Sequence, residues 1–228
     1  MNIDQKKRIT IFVGNYGSGK TELSLDYALK SIKSEPTTLV DLDIVNPYFR
    51  SSEKKQLLLN SGVHVLMPTF AETAVDVPAL PAEIQSVFDQ KNSRVIFDVG
   101  GDDTGAAALG RYYPYFAEEL DQVQVFFVVN TLRPLSADTE GITDLLFRIQ
   151  NRSRLAVTGL IHNSNLADET TLTQLLEGEE IIKEVAKVTK LPIVSTVMMQ
   201  SLFAQAPQWL QENAWIIERR MVPEWMVD

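Results

Sequence analysis

An octapeptide, Gly14-Asn15-Tyr16-Gly17-Ser18-Gly19-Lys20-Thr21, constrains this chain more than any other feature, because it matches G-x-x-x-x-G-K-[ST] in full. Before it run Ile9-Thr10-Ile11-Phe12-Val13; after it Leu23, Leu25, Ala28, Leu29 and Ile32 recur at near-helical spacing. A strand, a glycine-rich turn and a helix in that order point backbone N–H groups at one anion, and the positive end of the helix dipole adds to them. At ordinary residue frequencies the bare pattern arises in roughly one chain per hundred, and the strand–loop–helix setting makes chance rarer still. The segment Gly14 to Thr21 therefore reads as a phosphate cradle. Its backbone surrounds a β-phosphate, Lys20 reaches the β- and γ-phosphates, and the Thr21 hydroxyl completes a Mg²⁺ shell.

The rest of the chain alternates short β-branched or aromatic runs with longer amphipathic segments, the pattern of repeated βα units. Strands are expected near 8–13, 37–41, 63–66, 94–99, 123–129, 155–161 and 191–197. Helices are expected near 20–33, 51–60, 79–90, 106–120, 137–151, 169–189 and 206–218. The fold class that follows is α/β, a doubly wound and mostly parallel sheet of about seven strands. With 228 residues, no repeat and no Gly/Ser linker, the expectation is one nucleotide-binding domain over 1–228, ending in a helical tail from about 200. Met67 to Leu80 is the longest expected loop, a place for a lid or binding loop.

A phosphate cradle needs acidic groups at neighbouring strand ends to hold the magnesium ion and its waters. Asp98 ends the run Arg94-Val95-Ile96-Phe97-Asp98, and Val99-Gly100-Gly101 follow, small enough to bring backbone N–H groups to a γ-phosphate. The second strand ends in Val40-Asp41-Leu42-Asp43; alternation puts both carboxylates on one side, where they serve magnesium or an attacking water. Asp43 lies further past the strand and is the preferred candidate. The metal set is thus Thr21, Asp43 and Asp98, the catalytic pair Lys20 and Asp43, and Gly100 and Gly101 join the nucleotide contacts.

In their order along the chain, Gly14 to Thr21, Val40 to Asp43 and Asp98 to Gly101 resemble the CobQ/CobB/MinD/ParA group of P-loop nucleotide-binding proteins, from about Arg8 to Thr196. The resemblance implies a P-loop NTPase fold, Mg²⁺ and ATP as ligands, and an ATP-dependent dimer in many members. It also implies a water-orienting role for Asp43 and an adenine contact for Asn163, which follows a late strand. MinD and ParA proteins carry a lysine at the second loop position that reaches the partner's nucleotide; here Asn15 stands there.

The chain has no cysteine, so thiolate metal sites, iron–sulfur clusters and Cys nucleophiles are excluded. A net charge of −9 makes nucleic acid an unfavourable partner, and no apolar run reaches the roughly 18 residues of a membrane span. The expected location is cytoplasmic. The guanine-reading Asn-Lys-x-Asp is absent; Asn165 and Asp168 form only a looser N-x-x-D, which leaves GTP as an alternative. His162 reads as a satisfied structural residue and His64 as core.

Segments Asn46 to Arg50 and Gly105 to Tyr115 follow the acidic strand ends, where switch loops sense a γ-phosphate, with Arg50 and Arg111 as candidate contacts. Tyr112, Tyr113, Tyr115 and Phe116 read mainly as packing, and the Trp-rich tail as docking on its own domain or at an interface. The function expected is a slow ATPase acting as a nucleotide switch for an unknown partner protein or a second copy. A small-molecule kinase, an ATP-dependent synthetase, a GTP-binding accessory protein or a non-hydrolysing sensor are the alternatives.

Overall fold

The computed structural model describes residues 3–43, 52–67, 82–101 and 103–220. The chain begins with β1 (Ile9–Gly14), α1 (Lys20–Ser31), β2 (Thr37–Leu42), α2 (Ser52–Asn60), β3 (His64–Leu66) and α3 (Ala82–Asp89). It continues with β4 (Arg94–Val99), α4 (Asp103–Arg111), α5 (Tyr113–Ala117), β5 (Val123–Val129), α6 (Thr139–Ser153) and β6 (Gly159–His162). It ends with α7 (Leu172–Thr189), β7 (Ile193–Met199), α8 (Gln200–Phe203), α9 (Gln208–Gln211) and β8 (Ala214–Ile217).

Among the described residues the strands form one eight-stranded sheet of order 3-2-4-1-5-6-7-8, with every pairing parallel. Central strands β1, β2, β4 and β5 are buried along their whole length, which explains why they are apolar almost continuously. Alternate side chains feed two cores. Leu23, Leu25 and Tyr27 of α1 and Leu58 of α2 pack with Phe12, Leu39, Ile96 and Phe126. On the opposite face Leu109, Phe116, Leu146 and Ile182 from α4 to α7 pack with Ile11, Val40, Phe97 and Val125. The helix after β1 thus covers one face and the helices after β4 and β5 the other, so a crevice opens at the carboxyl ends of these strands.

Below that crevice Arg94, 1% exposed, donates to Tyr27 Oη at 2.7 Å, Glu35 Oε1 at 2.7 Å, and the Lys7 and Gln5 carbonyls at 3.0 and 2.8 Å. The ring cluster around Phe88, with Tyr112, Tyr115 and Phe116, packs α5 against α3 and the sheet, as the aromatic run predicts.

The structure corrects the sequence reading in several places. Among the described residues the sheet has eight strands, in keeping with the about seven expected, but the expected helix 206–218 is replaced by α9 and β8. Trp215 decides this: it is 1% exposed, its ring packs on Phe12 and Tyr27, and its Nε1–H donates to Asp26 Oδ2 at 2.6 Å. The expected helix 106–120 divides into α4 and α5, with Pro114 in the first turn of α5, where its missing N–H costs nothing. The sixth strand starts at Gly159 rather than 155, because the Val157 N–H is taken by Gln150 Oε1 at 2.7 Å. His64, expected in the core, is exposed on edge strand β3.

Candidate phosphate-binding site

The glycine loop leaves β1 at the centre of the sheet and enters α1 through Gly19, whose φ of 90° lies in the left-handed region. A side chain there would also collide with Asn163 Nδ2. Gly101 lies so close to the loop that a Cβ on it would strike the Tyr16 nitrogen. The loop is therefore held from below by two glycine-permitted contacts. Lys20, 7% exposed, folds back and donates from Nζ to the Asn15 carbonyl at 2.9 Å, and the Ser18 N–H donates to the same oxygen at 3.2 Å.

The acidic strand ends meet beside this loop. Strand register sets Asp98 opposite Phe12 on one side and Asp41 on the other. Burial pushes the Asp98 carboxyl up to about 6; the Lys20 ammonium and the Thr21 hydroxyl pull it down and Asp43 pushes it up again. Its Oδ1 is buried without a hydrogen-bond partner among the described residues, the state of an oxygen shaped to accept from something outside the chain. The residues present fit a hydrated divalent ion: a carboxylate oxygen without a donor, beside the hydroxyl at the end of the loop. Among the described residues no group of three or more His, Asp or Glu gathers to hold a metal, at this site or elsewhere, so the protein's share of a metal shell here is small. Asp41, 1% exposed, uses Oδ1 to accept the Asp43 N–H at 2.8 Å, so it fixes the turn that carries Asp43. Asp43 lies against Gly100 and lines the site.

Two further loops grip the glycine loop through its carbonyls. Arg133, beyond β5, donates from Nε to Gly17 O at 3.2 Å. Asn163, beyond β6 and 3% exposed, donates from Nδ2 to Ser18 O at 2.7 Å. A cavity, about 450 Å³, runs from Tyr16, Lys20 and Thr21 past Asn163 to an apolar end formed by Met198, Met199, Leu202 and Ile217, with Arg219 at its edge.

Of the sequence candidates, Tyr16, Gly17, Gly19, Lys20, Thr21, Asp43 and Asn163 line this one cavity, and Asp98, Gly100 and Gly101 stand around them. Arg111 is exposed at the end of α4 and is not among the lining residues. Asn46 to Arg50, Trp225 and residues 68–80 of the long loop lie outside the described residues. The sequence reading missed Arg133, Met199, Leu202, Ile217 and Arg219. Position after β5, the strand beside β1, was the one signal for Arg133.

No protein-family model and no curated protein matches the chain. Solved structures share its fold at low identity. The signal recognition particle 54 kDa protein from Aeropyrum pernix K1, in complex with GDP, superposes with a TM-score of 0.54 at 18% identity, over 85% of this chain and 42% of that one. The cell division protein FtsY from Thermotoga maritima gives 0.54 at 17% identity, over 87% and 64%. Chloroplast FtsY from Physcomitrella patens gives 0.56 at 13%, over 86% and 60%. The chain thus spans between 42% and 64% of the lengths of these structures. The likeness establishes the fold, an α/β sheet of the P-loop NTPase kind, and does not single out the CobQ/CobB/MinD/ParA group. Among the described residues no helix is long and apolar enough to cross a membrane.

Proposed function

We propose that this chain binds a purine nucleoside triphosphate with Mg²⁺, hydrolyses it slowly and acts as a nucleotide switch for a partner protein, with ATP as the preferred nucleotide. The observation that carries the reading is the meeting of Lys20, Thr21, Asp43 and Asp98 at one end of a cavity walled by the glycine loop. One sheet running from Ile9 to Ile217 supports treating 1–228 as a single nucleotide-binding domain.

In this reading the loop N–H groups from Gly14 to Gly19 bind phosphate oxygens, and Lys20 exchanges the Asn15 carbonyl for the β- and γ-phosphates. When bound, Mg²⁺ would offset charge on the β- and γ-phosphate oxygens, held by the Thr21 hydroxyl and, on its water side, by Asp98 and Asp43. Asp43 orients the attacking water, Gly101 leaves room for the loop backbone at Tyr16, and Gly100 lets Asp43 pack close beside it. Asn163 keeps the loop in shape through Ser18 O, beside the adenine contact expected of it.

The apolar end of the cavity suits a base, and Asp168, the acidic member of the loose N-x-x-D, is already paired with Arg219 at 2.6 Å, which favours ATP. GTP is the second reading, favoured by the GDP held in the similar signal recognition particle structure.

Phosphate release and nucleotide affinity, measured together on Asp43→Ala, test the assignment. Affinity within about threefold of wild type with turnover down at least tenfold is expected of a water-orienting residue. Equal losses in both would show that Asp43 serves to hold the bound Mg²⁺ and nucleotide rather than to orient the attacking water.

A further inference from the structure

His162 has no part in the site just described, yet it is fully buried one residue before Asn163 and is the centre of a hydrogen-bonded chain. Its Nδ1 meets Glu179 Oε2 of α7 at 2.7 Å, and its Nε2 meets Ser164 Oγ at 2.8 Å. Thr196 of β7 donates to the same Glu179 oxygen at 2.9 Å. On the other side Ser164 Oγ takes the Thr131 N–H at 3.0 Å and lies 2.7 Å from Thr131 Oγ1.

Each proton has one place in this chain when the imidazole is neutral. Burial alone would push the Glu179 carboxyl up, but the hydrogen bond from His162, the charge of that imidazole whenever it is protonated and the hydrogen bond from Thr196 bring it below its ordinary value, so it is an anion that accepts twice. That fixes the proton on His162 Nδ1 and leaves Nε2 to accept from the Ser164 hydroxyl. Ser164 then has two lone pairs, filled by the two Thr131 donors. The space is closed by Gly178 of α7, where a Cβ would stand 2.7, 2.7 and 2.8 Å from His162 Nε2, Ser164 Oγ and Thr131 Oγ1.

Thr131 and Ser164 belong to the two loops that hold the phosphate loop. Arg133, two residues beyond Thr131, grips Gly17 O, and Asn163, one residue before Ser164, grips Ser18 O. A second stitch joins the same loops, Asn130 Nδ2 to Asn165 O at 3.0 Å and Asn165 N to Asn130 Oδ1 at 3.3 Å. We infer that His162 is a positioning residue for the phosphate loop: held in one tautomer by Glu179, it locks Ser164 to Thr131 and so sets the spacing of the two side chains that orient Gly17 and Ser18. The inference rests on the nucleotide-binding reading and assigns it a buried relay in which Ser164 reaches the cavity wall while His162, Glu179 and Thr131 stand behind it.

The test compares Ser164→Ala with Thr196→Val. Both remove one buried hydroxyl from the same chain, but only the first breaks the lock between the loops. Titration with Mg·ATP and Mg·GTP, using whichever wild type binds more tightly, should show at least a tenfold loss for Ser164→Ala and less than twofold for Thr196→Val, at comparable drops in Tm. Nitrogen NMR of the ligand-free protein should show His162 protonated at Nδ1 and bare at Nε2. Should Ser164→Ala fail to fold, Thr131→Val, which removes one donor to Ser164, is expected to give the same selective loss. Like affinities for the lock-breaking variant and Thr196→Val, or a proton on Nε2, overturn the inference while wild-type binding stands. A wild-type chain that binds neither nucleotide overturns the functional reading as well.

Discussion

The side-chain amide of Asn163 donates to the Ser18 carbonyl at 2.7 Å, although 145 positions separate them in the chain. The bond crosses from the end of β6 to the loop after β1, over the intervening strand β5. It fixes the Ser18 carbonyl, and the amide fills the space where residue 19 would carry a side chain.

Gly19→Ala should therefore fail on two counts, a φ of 90° that an L-residue adopts at a cost and a collision with Asn163 Nδ2. The expected loss is on the order of 1–3 kcal/mol in urea unfolding, with nucleotide affinity lowered more than tenfold. Unchanged affinity would mean that the loop tolerates losing the Asn163 contact.

Asp98→Asn should make the ligand-free protein more stable at neutral pH. The folded carboxyl, pushed up to about 6, lies above its ordinary value, so the native state binds more protons than the unfolded chain between those limits. Stability from this group is full below the ordinary carboxylate pKa and is lost as pH rises through about 6. The variant should gain on the order of 1–2 kcal/mol, or roughly 2–8 °C in Tm, at pH 8 and little at pH 4. Mg²⁺-dependent nucleotide binding should fall in the same variant. In wild type that binding should strengthen as pH rises past about 6.

Trp215 separates burial from hydrogen bonding at the last strand. Trp215→Ala removes a ring packed on Phe12 and Tyr27 and is expected to cost about 3–5 kcal/mol in urea unfolding. Trp215→Phe keeps most of that packing and loses the donor to Asp26, which retains Lys30 at 2.6 Å, so about 1–2 kcal/mol is expected. Equal costs would show that the indole N–H, rather than the ring, holds β8.

These residues also mark what could be read from the sequence. The strand–loop–helix course of the glycine loop was legible because its signal is local: glycines, Lys20 and Thr21 lie within one turn of chain. Asp98 and Asp43 were legible because parallel strands of an α/β sheet present their carboxyl ends to one crevice. β8 was not, because Gln208 to Ile217 carries a helix-like spacing and its strand state depends on Trp215 reaching Asp26, 189 positions away. Arg133 was hidden for a related reason: its partner is a backbone carbonyl, which leaves no trace in side-chain pattern. His64 was misread because apolar neighbours on a short run say nothing about whether the strand is central or an edge.

The central claim is that Gly14 to Thr21 grips a magnesium-bearing triphosphate, and calorimetric titration of wild type and Lys20→Ala with Mg·ATP and Mg·GTP tests it most directly. The account predicts wild-type binding to at least one of them that weakens when Mg²⁺ is chelated, and a loss of at least a hundredfold in Lys20→Ala, about 3 kcal/mol. No heat from either nucleotide with wild type, or equal affinity in the two proteins, would contradict it.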